Sequence, residues 1–204
     1  MSVAAEHIYF ADLNCPFCYA LDERIQDLGL AEEASWQGVQ HLLTAEQWRQ
    51  VTPELLATEL NRLRKLAPDL EIREPPRLPP TGLPILTLAE LGLADAKATA
   101  RLRRALYRAL WVDGQDISSP TVIGQVCRSL GIAVPKPTVN ARALVASWQT
   151  HWEQGGFDRR IPVLVAPGGA RAIGLEASRR VAAFLKAGLI SSETDAVCRT
   201  SPSD

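Results

Sequence analysis

The sequence predicts an α/β fold whose small sheet is interrupted by a large all-helical insertion. Three observations carry this. An apolar, aromatic run enters a Cys-Pro-Phe-Cys group that opens a helix and is followed by a second strand-like run. Residues 44–155 then read as helices without a repeat. A strand period returns only near residue 161, ahead of a last helix. At 204 residues the chain has room for one domain, or one domain carrying a large insertion. A chain of this size buries roughly 70% of its unfolded surface and needs no covalent staples.

Residues 6–13 form the first expected strand, rich in β-branched and aromatic side chains. Pro16 follows at the first position of a helix, where its missing N–H costs nothing. Cys18, Leu21, Ile25 and Leu28 recur at helical spacing on one face, and Gly29 marks the helix end. Residues 34–43 are expected as a second strand. Thr44 with Gln47 has the form of a capping box, and Thr52-Pro53 opens a helix through LLATELNRLRKL. Six of the 14 prolines fall within residues 68–84, which are therefore a loop. Helices are expected near 84–92 and 95–112, from Ser119-Pro120 to Gly131, and from Thr138 to about Gln154. The run Ile161–Val165 reads as a strand, closed by Pro167-Gly168-Gly169, with residues 170–174 as its hairpin partner. A helix over 175–187 carries Glu176 at its positive end and Lys186 at its negative end, with a frayed tail at 191–204. The expected boundaries are residues 1–43 and 156–190 for the sheet domain and 44–155 for the insertion.

Composition narrows the function classes. With 47% hydrophobic and 22% charged residues the chain is ordinary globular material. Its 22 basic and 23 acidic residues give a net charge of −1, which provides no general attraction to nucleic acid or to an anionic membrane. No apolar run approaches the ~18 residues of a membrane span. The opening MSVAAEHIYFADLN lacks the charged and apolar regions of a secretory signal, so a cytoplasmic location is expected. In a reducing compartment a close cysteine pair such as Cys15 and Cys18 is metal-binding or catalytic. Cys127, Cys198, His7, His41 and His151 are scattered singly and supply no second pair of ligands, so no metal site is expected.

Asp12-x-x-Cys15-Pro-Phe-Cys18-Tyr19, the stretch ALWVDGQDISSPTVIGQVCRSLGI and Gly156-x4-Ile161-Pro162 together resemble the DsbA family, specifically its cytosolic FrnE-like branch. The resemblance covers residues 6–187. It implies a thioredoxin-like fold, a thiol–disulfide oxidoreductase activity, and a cis peptide bond at Pro162 beside the cysteine pair. Ile161 would then offer backbone groups to an extended substrate.

Thiol–disulfide exchange needs an attacking thiolate and a second thiol that resolves the mixed disulfide. Cys15 precedes the helix, where free N–H groups favour a thiolate, and is the expected nucleophile. Cys18 lies on the inward face and is the expected resolving thiol. Phe17, Ile161 and Pro162 are expected to border the substrate, with Arg160 or Arg159 near Cys15 or on a substrate carboxylate. The family's strongly oxidising relatives carry a histidine within the motif. Phe17 supplies no such donor, and Asp12 and Asp22 oppose a thiolate, so a less oxidising couple is expected. Cys127 reads as core, Trp111, Trp148 and Trp152 as the insertion's core, and Arg101, Arg103, Arg104 and Arg108 as a solvated face. His7 and His41 receive no role.

No organic cofactor is expected, although glutathione could serve as redox partner. The substrate class is a polypeptide or a small thiol. Two rivals stand beside the oxidoreductase. One is a glutathione-dependent transferase or isomerase of kappa type, whose relatives use serine where Cys15 stands. The other is a chaperone-like protein holding polypeptides in an apolar groove around Pro162.

Overall fold

The computed structural model describes residues 6–187. The expected tail at 191–204, with Cys198, lies outside the described residues. Twelve elements follow in order among them: β1 His7–Ala11, α1 Pro16–Asp27, β2 Ala34–Gly38, α2 Ala45–Gln50, α3 Pro53–Leu66, α4 Gly82–Gly92, α5 Ala96–Trp111, α6 Pro120–Ser129, α7 Val139–Gln154, β3 Val163–Val165, β4 Arg171–Ile173 and α8 Ser178–Ala187. The sheet order is β2-β1-β3-β4. β1 and β2 are parallel, joined by the right number of residues for a crossover through α1, and the remaining pairs are antiparallel. This is a thioredoxin-like α/β fold with the helices α2–α7 inserted between β2 and β3.

Local chemistry explains most boundaries. Cys15 is the N-cap of α1 and Pro16 its first residue. Gly29, at φ +66°, takes the left-handed turn that ends the helix. The Thr44–Gln47 capping box forms in full, and Thr52 and Thr138 cap α3 and α7 through their side chains.

The second strand stops at Gly38, short of the expected residue 43. Its neighbour in the sheet, β1, ends at Ala11, and the last rung is the Val39 N–H donating to the Ala11 carbonyl. Gly38 packs tightly, because a Cβ there would lie 2.4 Å from the Trp36 ring and 2.9 Å from Ile85. Helix α4 starts at Gly82, two residues before the expected 84. Pro84 sits in its first turn, where no intrahelical N–H is required. α8 starts at Ser178 and not at 175. The Glu176 carbonyl accepts from the Arg24 guanidinium at 2.5 Å, so that stretch is tied to α1 outside the helix.

Two expectations about the insertion are corrected. The arginines of α5 are not a uniformly solvated face. Arg103 is buried and its Nε donates to Asp22 Oδ1 of α1 at 2.7 Å, while Arg104 holds both oxygens of Glu23 at 2.9 and 2.7 Å. Leu102, Leu106 and Leu110 turn inward, and Arg103 borders that stripe on the side facing α1. The tryptophans do not form a separate insertion core either. Trp111 donates to the Leu13 carbonyl at 2.9 Å, Trp152 donates to the Arg160 carbonyl at 3.0 Å, and Trp148 meets Trp36 of β2 edge-on. One continuous apolar cluster runs from Tyr9 and Phe10 through Leu102 and Trp111 to Leu164 and Phe184.

Candidate active site

The site begins where β1 ends. Tyr9, Phe10 and Ala11 are buried within the sheet, and the chain then turns through Asp12, Leu13 and Asn14 into Cys15. Each turn residue is held from the insertion. The Asp12 carbonyl accepts from the Tyr107 hydroxyl at 3.3 Å, the Leu13 carbonyl from Trp111, and Asn14 Nδ2 donates to the Pro79 carbonyl at 3.2 Å. The position of Cys15 is thus set by α5 and by the proline-rich loop as much as by the sheet.

At Cys15 the backbone is extended, φ −101° and ψ 120°, as an N-cap requires. Its sulfur takes the place of the usual capping oxygen. The Cys18 N–H points at Cys15 Sγ from 3.4 Å. Helix N-terminal N–H groups lack intrahelical acceptors, so this donor favours negative charge on the sulfur. Cys18 lies one turn further on, buried with Leu21 and Ile25, and its carbonyl accepts from the Tyr9 hydroxyl at 2.7 Å.

The other expected residues arrive from the far end of the chain. The Ile161–Pro162 bond is cis. β3 runs antiparallel to β1, with Phe10 opposite Val163, so the residues just before Val163 are carried toward the end of β1 that leads to Cys15. Ile161 and Pro162 are buried, and the Pro162 carbonyl accepts from the Gly174 N–H at 2.8 Å. Asp158 and Arg159 both have positive φ, 49° and 54°, which non-glycine residues adopt rarely. Arg160 is largely covered, with Nη2 3.4 Å from Asp158 Oδ2. Phe17 is 1% exposed, so its ring belongs to the core beneath the motif. Cys15 itself is 0% exposed.

Charged groups that the sequence reading left unpaired are paired. Asp12, buried, accepts from the His41 backbone at 3.0 Å through Oδ2, and His41 Nδ1 lies 2.8 Å from the same oxygen. Asp22 meets Arg103, whose guanidinium also lies over the Trp36 ring at 5.7 Å. Burial raises the Asp22 carboxyl above the usual carboxylate range, opposed by the Arg103 charge. Burial also holds the Tyr9 and Tyr107 phenols well above their ordinary value, with Cys18 and Asp22 among the neighbours that add to it. Tyr19 is pushed up to about 12, by burial first and by Glu23 next.

His41, Arg103, Tyr9 and Tyr107 were missed as neighbours of the motif. Asp22 stands four residues after Cys18, which on a helix is the same face, and that spacing was the available signal. Cys127 is buried as expected, and burial raises its thiol. Among the described residues no group of three or more His, Cys, Asp or Glu side chains is arranged to hold a metal ion.

Comparison with known proteins bears on this geometry. A family model described as a DSBA-like thioredoxin domain matches residues 8–140. A comparison with curated protein sequences found no match. Among solved structures, a probable DsbA oxidoreductase from Streptomyces coelicolor is similar with a TM-score of 0.67 and 14% identity, over 95% of this chain and 98% of that one. The cytosolic disulfide reductase DsbM from Pseudomonas aeruginosa, solved with GSH, gives 0.61 and 15%, over 89% and 93%. A 2-hydroxychromene-2-carboxylate isomerase gives the same four values. At these identities the likeness is one of fold.

Proposed function

The chain belongs to the family of DSBA-like thioredoxin domains, and from that premise we propose that it is a thiol–disulfide oxidoreductase in which Cys15 attacks and Cys18 resolves. The observation that carries the reading is the Cys15 sulfur at the N-cap of α1, facing the Cys18 N–H. In the reductive direction the Cys15 thiolate attacks one sulfur of a substrate disulfide. A Cys15–substrate disulfide forms and the first substrate thiolate leaves. The Cys18 thiolate then attacks Cys15 Sγ, the Cys15–Cys18 disulfide forms, and the second substrate thiolate departs. Two electrons pass from the cysteine pair to the substrate, and each departing thiolate takes up a proton. In the oxidative direction the same steps run backwards.

Ile161 and Pro162 border the incoming sulfur, with Phe17 beneath and Arg160 at the margin. The substrate is a polypeptide or small-thiol disulfide, glutathione is an available redox partner, and the setting is cytoplasmic. No helix among the described residues is long and apolar enough to cross a membrane. The kappa-type reading shares the fold, but two thiols spaced one helical turn apart suit exchange better than a single activated oxygen. A polypeptide-holding groove is less well supported, since Phe17, Ile161 and Pro162 are all buried.

Serine at position 18 is nearly isosteric with cysteine but cannot displace a sulfur. Cys18→Ser, purified from acid-quenched cells, is expected to carry reducible protein or glutathione adducts at Cys15. Adducts on Cys15→Ser instead would reverse the two roles. Adducts on neither would leave the cysteines incidental.

A further inference from the structure

Asn14 immediately precedes Cys15. It is 1% exposed, between Leu13 and Cys15, which are both 0% exposed. A leucine or valine would fill such a position without burying a polar group, so the amide needs a reason. Its Nδ2 donates to the Pro79 carbonyl at 3.2 Å. A carbonyl can only accept, so this bond fixes the nitrogen on the Pro79 side and turns Oδ1 the other way. Oδ1 is buried and has no hydrogen-bond partner among the described residues. Native proteins leave few buried polar atoms unmet, and a ligand or a water completes many of those that remain.

The rest of the turn says which kind of group completes this one. Its carbonyls have donors already: Asp12 takes the Tyr107 hydroxyl and the Cys15 N–H, and Leu13 takes Trp111. The Asp12 carboxylate meets the His41 N–H and ring through Oδ2. The side-chain atoms left open at the turn are Asp12 Oδ1 and Asn14 Oδ1, and both are acceptors. Their complement is a donor. Beside a nucleophilic sulfur, that donor belongs to the molecule the sulfur attacks. A disulfide holds its two cysteine Cα atoms ~5.5–6 Å apart. The Cα of Asn14 lies a further ~3.8 Å along the chain from that of Cys15. The amide N–H of a cysteine joined to Cys15 is thus within the span of one short side chain from position 14.

We propose that Asn14 Oδ1 accepts the amide N–H of the substrate cysteine while that cysteine is bonded to Cys15. Asn14 thereby selects disulfides of peptide type, whose sulfur sits beside an acylated N–H, over disulfides without one. This rests on the oxidoreductase reading above and narrows its substrate class. The exchange steps are unchanged, and Asn14 neither gives nor takes a proton. Its bond to Pro79 holds the amide plane, so Oδ1 keeps one orientation with or without substrate. A site that presents a buried acceptor discriminates against the analogue lacking the donor, because the acceptor then stays unpaired.

The test is single-turnover oxidation of the reduced full chain by two disulfides, read by acid quench and chromatography of the released thiol. One is the disulfide of N-acetylcysteine N-methylamide. The other carries an ester oxygen in place of the acetylated N–H and is otherwise the same. Each rate is divided by that of the same disulfide with dithiothreitol, which removes their intrinsic difference. Both meet the same Cys15 thiolate, so a change in its pKa or in the fold moves both rates together and leaves their ratio alone. The parent is expected to favour the amide by roughly 5–10-fold, the range of one hydrogen bond. Asn14→Leu is expected to bring the ratio within about 2-fold of unity, and Asn14→Ala, which needs no extra room, to do the same. Asn14→Asp keeps an acceptor but loses the donor to Pro79, and is expected to retain the preference. A parent ratio near one, as from a water held permanently on Oδ1, would overturn the proposal. So would a preference that persists in Asn14→Leu and Asn14→Ala, or one lost as fully in Asn14→Asp. A parent oxidised by neither disulfide would overturn the oxidoreductase reading itself.

Discussion

Replacing Trp111 with phenylalanine isolates the join between the insertion and the cysteine loop. The indole is fully buried, and its Nε1–H donates to the Leu13 carbonyl at 2.9 Å, two residues before Cys15. Phenylalanine keeps an aromatic ring but removes the donor, leaving a buried carbonyl unsatisfied at a cost of about 1–3 kcal/mol. The smaller ring also leaves a cavity of roughly 40 Å3, worth ~1 kcal/mol at about 24 cal/mol per Å3. Together these give a loss of about 2–4 kcal/mol, which for a chain of this length lowers Tm by roughly 5–15 °C. Trp148→Phe is the control, because that ring is half-buried and meets Trp36 only edge-on. It is expected to cost less than about 1.5 kcal/mol. Urea unfolding followed by near-UV circular dichroism reads both variants. A Trp111→Phe loss no larger than that of Trp148→Phe would refute the reasoning that the insertion holds the loop through this bond.

Two further outcomes follow from the geometry. Peptide-resolved alkylation across pH 5 to 9 is expected to label Cys15 well below the ~8.5 of an ordinary thiol and not to label Cys18, since the first turn of α1 donates to the Cys15 sulfur while Cys18 lies among Leu21 and Ile25. Equal rates at both would contradict the assigned roles. Asp116 is held below the usual carboxylate range by the Ser118 hydroxyl first and by Arg77 next. A depressed folded-state pKa means that its stabilisation is present above the ordinary value of ~3.9 and is lost as pH falls through the folded value. The stability difference between the parent and Asp116→Asn should therefore be full at pH 6 and shrink below pH 4. A difference that instead grows on acidification would show the sign to be wrong.

Elements with their own punctuation were legible in the sequence. Pro16 after Cys15, Thr44 with Gln47, Thr52-Pro53 and the glycine turn before residues 170–174 each fix a boundary with neighbouring residues alone, and the structure has them all. Even the cis bond at Pro162, which no local chemistry demands, was implied by family likeness. What escaped the reading joins residues far apart. Asp22 and Arg103 are 81 positions distant and Asp12 and His41 are 29, so neither helix nor strand periodicity relates them. A helix read alone shows Arg103 as one cation among several. Only the packing of α5 on α1, which brings Asp22 and Trp36 against it, distinguishes it from its exposed neighbour Arg101. The same holds for Trp111 and Trp152, whose N–H groups donate to the loop carbonyls of Leu13 and Arg160.

The strand order carries a consequence for how the protein comes into being. β1 is interior to the sheet, between β2 and β3, yet β3 begins only at Val163. At ~5–20 residues per second, the ribosome needs on the order of ten seconds to make the helices that intervene. Throughout that interval both thiols have been synthesised while the late strands and the residues around Pro162 have not. Non-local pairing of this kind closes late in folding. The nascent chain therefore presents to the cell's oxidants the same pair of sulfurs that the finished molecule encloses.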